Sequence, residues 1–257
     1  AIDAPNSIVI KGDAEGIAKI DASSADLTAF INFKDVTAAK AKKADDSDSD
    51  YFLIDEVEVS NVEITGLSKP IINNAAGKVD FAKVTFDNDV IELVGSSSAF
   101  AMGNGFAGDL KITNSTLWSK DGHTGFLFQA QGRPKDIISG TTTTSWTIDH
   151  STLYQIAKGK KANNNNSGIK GQSITTMTLT NSILIDFGSN TGNEVNGWMW
   201  GQNSGANAVY SKNTYWSAAT EGAVVAGWTN ADKGLSDQTD TSLTTDPQVK
   251  DAANGDF

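Results

Sequence analysis

The sequence has no cysteine, so disulfides and thiolate zinc sites are excluded and the redox compartment stays open. It is also poor in cations: 20 Lys and Arg stand against 31 Asp and Glu, for a formal charge of −11 and a sequence pI of about 4.5. Nucleic acid and anionic membrane surfaces need a cationic partner, so neither is expected to bind. The same charge disfavours an anionic polymer unless a metal bridges the two. With one Arg and 2 His, few groups are on hand for acid–base chemistry. No apolar run reaches the ~18 residues that a membrane span needs, and no signal-peptide pattern opens the chain. What is present is a 257-residue chain with 39% hydrophobic residues, enough for a continuous core. Its richness in Gly, Ser, Thr and Asn points to an extracellular, bacterial protein.

A repeat runs along the chain. Val57–Ile64, Leu110–Leu117, Trp146–Leu153 and Met177–Leu184 align, with Val209–Trp216 and Val79–Phe86 as looser copies and Ile31–Val36 as an early one. The alignment puts an Asn-like residue at 35, 61, 83, 114, 150, 181 and 213, at spacings of 22 to 36 residues. Each copy alternates apolar and polar on both sides of that residue, which predicts a strand, a one-residue bend and a second short strand. Asn suits the bend because it tolerates left-handed backbone geometry, and stacked amides can bond from coil to coil.

Repeats of this length with short strands are the pattern of a β-solenoid. The expected inward columns are Val59, Phe81, Ile112, Ile148 and Leu179 in one, and Ile64, Phe86, Leu117, Leu153, Leu184 and Trp216 in the other. The spacings are too short and irregular for propeller blades. The predicted fold is therefore all-β: a single-stranded, right-handed parallel β-helix of about seven or more coils, since parallel crossovers are right-handed as a rule. One domain is expected over 1–257. Within it, 1–30 forms a cap or extra coils, 31–230 the repeated coils and 231–257 a tail.

The string Ile/Leu-x-Asn-Ser-x-Leu at Ile112–Leu117 and Leu179–Leu184 resembles the pectate-lyase-like β-helix superfamily. Over residues 30–257 the chain is similar to β-helix domains of surface lipoproteins in bacterial polysaccharide-utilisation systems, and Asp246–Phe257 looks like the tail those domains share. The resemblance implies a protein at the bacterial outer surface that meets glycans, within an outer-membrane uptake complex; a monomer is expected. Fold alone does not set activity.

Outward aromatics are the first candidate site. Trp118 and Tyr154 each follow the bend residue by four and alternate outward on adjacent coils. Two rings ~5–10 Å apart suit stacking on successive sugars, whose CH faces are apolar. Tyr210, Tyr215 and the pair Trp198 and Trp200 join them as glycan-binding candidates, while Trp146 and Trp216 read as core.

A lyase of the resembled superfamily would need a cationic or imidazole base and a group to neutralise the substrate carboxylate. Lys120, His123, Arg133 and Lys135 are the candidates, although no complete lyase set matches residue by residue. His150 sits in the Asn column and reads as a bend. Asp149 and Asp186 fall on neighbouring coils but in different columns, Asp80 and Asp87 fall on an earlier coil, and no three carboxylates make a hydrolase cluster. Asp45, Asp46, Asp48 and Asp50 offer oxygen ligands that suit Ca²⁺ but lack the glycine and distal glutamate of a calcium loop, and no other cofactor is indicated. Three functions follow in order: a non-catalytic binder of a neutral polysaccharide or oligosaccharide, a uronate-polymer lyase, and a structural or adhesive solenoid.

Overall fold

The computed structural model describes residues 7–13, 16–34, 36, 39–43, 45–75, 77–105, 107–130, 145–160, 169–171, 176–191, 194–196, 199–200, 207–217, 222–223, 247–251 and 254–257. Every regular element among them is a strand. The chain is all-β, with parallel sheets of a kind compatible with a β-solenoid.

Three sheets carry the structure. The first runs through Ser7–Lys11, Asp48–Ser60, Val79–Asp87, Ala107–Thr113, Ser145–Asp149, Thr176–Thr180 and Asn207–Ser211. The second runs through Ala18–Asp21, Val62–Leu67, Val90–Leu93, Thr116–Trp118, Thr152–Tyr154, Ile183–Ile185 and Thr214–Ser217, with Gly222–Ala223 added antiparallel at its end. The third holds Ile31–Asn32, Ile72–Asn73, Phe100–Gly103, Phe128–Ala130, Ile169–Gly171 and Met199–Trp200. The chain visits the three in turn and returns to the first, so each strand pairs with its counterpart one round later. Residues 7–21, within the stretch expected to be cap or extra coils, give a strand to each of the first two sheets, and Ile31–Asn32 gives one to the third.

Alternation along the strands sorts the side chains. In the first sheet Val59, Phe86, Ile112, Ile148, Leu179 and Tyr210 stack inward, and in the second Ile64, Ile91, Leu117, Leu153, Leu184 and Tyr215 do so. All are buried. Each such aliphatic side chain stabilises the fold by ~1.5–3 kcal/mol. Phenylalanines fill the space towards the third sheet: Phe86 meets Phe100 at 5.1 Å, and Phe100 meets Phe128 at 4.7 Å. The outer face of the first sheet is polar, with ion pairs between neighbouring strands such as Lys83–Glu56 at 2.7 Å.

A single left-handed residue turns the chain from the first sheet to the second. Asn61, Asn88, Asn114, His150, Asn181 and Lys212 hold this place, at φ between 47° and 59°. Their steps are 27, 26, 36, 31 and 31 residues. The first round lacks this one-residue bend: residues 12–17 link Ser7–Lys11 to Ala18–Asp21, and Gly12 sits so close to the next round that a Cβ would lie 2.2 Å from the Asn61 carbonyl oxygen. This corrects the expected bend column at three positions. Lys83 lies mid-strand and the bend is Asn88; Asn213 gives way to Lys212; and Ile31–Asn32 belongs to the third sheet, with Asp35 outside the described residues. The one-residue slip at Lys212 exchanges the faces of its strands, whereas the five-residue shift from Lys83 to Asn88 leaves Phe81 and Phe86 both buried and moves them to other places in the stack. Phe86 and Ile91 replace Phe81 and Phe86 in the two columns, and Tyr215 replaces Trp216.

The residue after each bend makes a ladder that the sequence did not reveal. The Val62 N–H donates to Asp89 Oδ1, Asp89 to Ser115 Oγ, Ser115 to Ser151 Oγ, Ser151 to Ser182 Oγ, and Ser182 to Asn213 Oδ1, at 2.9–3.2 Å. Asn213 fits the bend pattern in sequence because its task here, accepting from Ser182, also suits an amide. The bend amides bond one another only between Asn88 and Asn61 (2.7 Å); those of Asn114 and Asn181 donate to Asp87 and Asp149, each at 2.8 Å.

A covered aromatic ladder as candidate binding site

Four residues after each bend the second sheet turns a side chain outward. With the bends placed correctly, this column reads Glu92, Trp118, Tyr154, Ile185 and Trp216, paired in register from strand to strand. The residue before each of the last four points into the core, so the pleat puts this set on the opposite face. Trp118, Tyr154 and Ile185 form a cluster separate from the main core, joined by Val90, Ile183, Trp216 and Val249. From Trp118 to Trp216 is three strand spacings, roughly 14 Å.

The rings lie on adjacent coils as the sequence predicts, but they are not open to solvent. Trp118 is 7% and Tyr154 9% exposed. Residues 247–251 and 254–257 lie over them. The Phe257 ring stands edge-on to both, at 6.1 Å from Trp118 and 5.7 Å from Tyr154. Edge-on pairs of this kind contribute ~0.5–1.5 kcal/mol each. Gly255, at φ +79°, passes so close that a Cβ there would lie 2.9 Å from Trp118 Cζ2. The covering segment closes on itself through Asp251 N to Asp256 O (3.0 Å), Asp256 N to Asp251 O (3.1 Å) and the Lys250–Asp256 ion pair (2.6 Å). That pair is exposed and adds little.

No family model, curated protein or solved structure matches this chain.

The other aromatic candidates divide. Tyr210 and Tyr215 are buried core residues rather than outward rings, the result of the one-residue slip at Lys212. Trp216, expected in the core, is half-buried on the ladder. Its place follows from the sequence once Lys212 is taken as the bend, since it stands four residues later like Trp118 and Tyr154. Trp146 is buried and donates from Nε1 to the Ala107 carbonyl at 2.9 Å. Trp200 lies in the third sheet opposite Lys170, and Trp198 is outside the described residues.

The cationic candidates do not form a catalytic group among the described residues. His123 is 1% exposed, with Nε2 2.6 Å from the Ser97 carbonyl, an arrangement in which Nε2 donates. Burial holds its pKa below the usual value, and Lys160 acts in the same direction, against the Ser97 contact. A ring buried in this way is not exposed to an external polymer, which corrects the expectation for His123 alone among the four candidates. Lys120 is exposed on the preceding turn, and Arg133 and Lys135 fall outside the described residues. The exposed imidazole is His150, at a bend, with Nδ1 2.8 Å from Asp149 Oδ2. Burial raises the Asp149 pKa, but hydrogen bonds from Thr180, Asn181 and His150 outweigh it and hold the carboxyl low.

Asp45–Asp50 form the tip and return of a hairpin with Lys40–Lys42. Asp45 Oδ1 accepts from the Ser47 N–H and hydroxyl, Asp48 pairs with Lys42, and Asp50 lies 3.6 Å from Lys78. The expected Ca²⁺ ligands are thus turned to different partners, and among the described residues no three His, Cys, Asp or Glu side chains group as a metal site.

Proposed function

We propose that this protein is a right-handed, single-stranded parallel β-helix that binds carbohydrate chains at a bacterial surface without cleaving them. The observation that carries the reading is the in-register column Trp118–Tyr154–Ile185–Trp216, which sits outside the main core. A core needs no second aromatic cluster on the far face of a sheet. Rings repeating at the strand spacing suit a ligand that itself repeats, and sugar CH faces stack on them.

The acidic surface, at −11, favours a neutral glycan over a polyuronate. Burial of His123 takes one of the four candidates from the lyase alternative. Surface display and membership of an outer-membrane uptake complex rest on the family resemblance and are part of the proposal. Affinity electrophoresis through gels holding neutral polysaccharides tests it. Retention by at least one glycan is expected, with loss of retention in a folded Trp118→Ala/Tyr154→Ala double variant. Equal retention of variant and parent would remove the ladder from the reading.

A further inference from the structure

We infer that residues 247–251 and 254–257 are parts of a displaceable strap that occupies the ladder in place of a saccharide, so that glycan binding requires the strap to leave. This rests on the carbohydrate reading above and assigns the regulation of that same site. Three observations carry it.

The first is the kind of contact. The strap reaches the ladder through Val249, Gly255 and the Phe257 ring. The Phe257 ring, standing edge-on to Trp118 and Tyr154, fills part of the volume that an apolar sugar face would take against the same two rings.

The second is how the strap holds its own shape. Its hydrogen bonds between Asp251 and Asp256, the Asn254 amide to Asp251 Oδ2 at 2.8 Å, and the Lys250–Asp256 pair are all internal. Lifting the strap as a unit leaves these bonds intact. They need no replacement partner on the sheet.

The third is exposure. Phe257 is 39% exposed although it touches two buried rings, so it lies on the ladder and is not enclosed by it. The main core, by contrast, is continuous beneath Leu117 and Leu153 and gains nothing from the strap. The ladder is therefore a preformed surface with a resident occupant from the same chain.

The experiment uses the full chain and two release variants. Gly255→Val places a branched side chain where a Cβ already meets Trp118 and where φ is positive. Phe257→Ala removes the ring without straining the backbone. Folding is checked by circular dichroism, strap release by acrylamide quenching of tryptophan fluorescence, and binding by affinity electrophoresis in the same neutral glycans. The expected result is a larger quenchable fraction in both variants and about tenfold tighter retention, the scale for freeing a stacked ring. Adding Trp118→Ala to a release variant should abolish the gain.

Quenching that stays at the parent level in both folded variants would overturn the removable strap while leaving the carbohydrate reading intact. Increased quenching with retention equal to that of a binding parent would show that the glycan sits elsewhere, and would overturn the competition. Increased quenching with no retention of any glycan by either form would overturn the saccharide as occupant, and the carbohydrate reading with it.

Discussion

The backbone N–H of Asp89 donates to the hydroxyl of Ser115 one coil away, at 3.1 Å, and the two residues hold the same place in the ladder behind the bends. Asp89 is the ladder's one acid. It is fully buried, Oδ1 accepts from Val62, and Oδ2 has no hydrogen-bond partner among the described residues. Burial pushes its pKa up to about 7, with the Asp87 charge adding to the rise against the Val62 hydrogen bond. A raised pKa makes its contribution to stability complete below about pH 3.8 and progressively lost as the pH climbs through about 7. Asp89→Asn keeps the acceptor for Val62, as Asn213 does for Ser182, and removes the charge. The variant is expected to match the parent at low pH and exceed it by roughly 4 kcal/mol at neutral pH. Urea unfolding across that range checks it; a gap that does not grow with pH would refute the buried carboxyl.

His123 gives the opposite slope. Its pKa lies below the ordinary value of 6.5, chiefly through burial, so its contribution is present above about pH 6.5 and is lost as the pH falls through the lowered value. His123→Gln can still donate to the Ser97 carbonyl but cannot be protonated. Its thermal midpoint is expected to fall less than the parent's on acidification, measured by calorimetry. Identical pH dependence in the two proteins would place the titrating group elsewhere.

The exchange of Tyr215 and Trp216 is testable by stability alone. Tyr215→Ala empties a buried inner position and is expected to cost ~3–5 kcal/mol, as large aromatic truncations in cores do. Trp216→Ala removes a half-buried ring from the outer face and should cost distinctly less. Chemical denaturation of both variants decides the matter, and the reverse order of cost would restore the bend to Asn213.

At the bends, Asn181→Ala is expected to destabilise more than Asn181→Gly. Both lose the amide bond to Asp149, but alanine alone must bear a left-handed backbone at φ +50°, at ~1–2 kcal/mol. Equal denaturation midpoints for the two would mean that the backbone relaxes.

Ser151→Ala breaks the serine ladder at its middle. It removes the acceptor for the buried Ser115 N–H and so costs ~1–3 kcal/mol, more than an exposed serine would. Hydrogen exchange at the Ser115 amide should rise with it, and an unchanged rate would indicate that another acceptor takes over.

By itself the sequence determined the period-two strands, the Asn bends at 61, 114 and 181, and the placing of Trp118 and Tyr154 on neighbouring rungs. Those features are local: alternation follows from the strand pleat, and a left-handed bend favours Asn, although His150 and Lys212 also hold one here. Only the tertiary structure decided the bends at Asn88 and Lys212, because Lys83 and Asn213 satisfy the same local pattern and the choice rests on which coil pairs with which. It alone decided that Tyr215 faces in and Trp216 out, that Asp89 closes a ladder of serines, and that Phe257 comes to rest on a ring at position 118. Contacts between residues so far apart in the chain depend on the summed path of every coil between them, and no local pattern of residues records that sum.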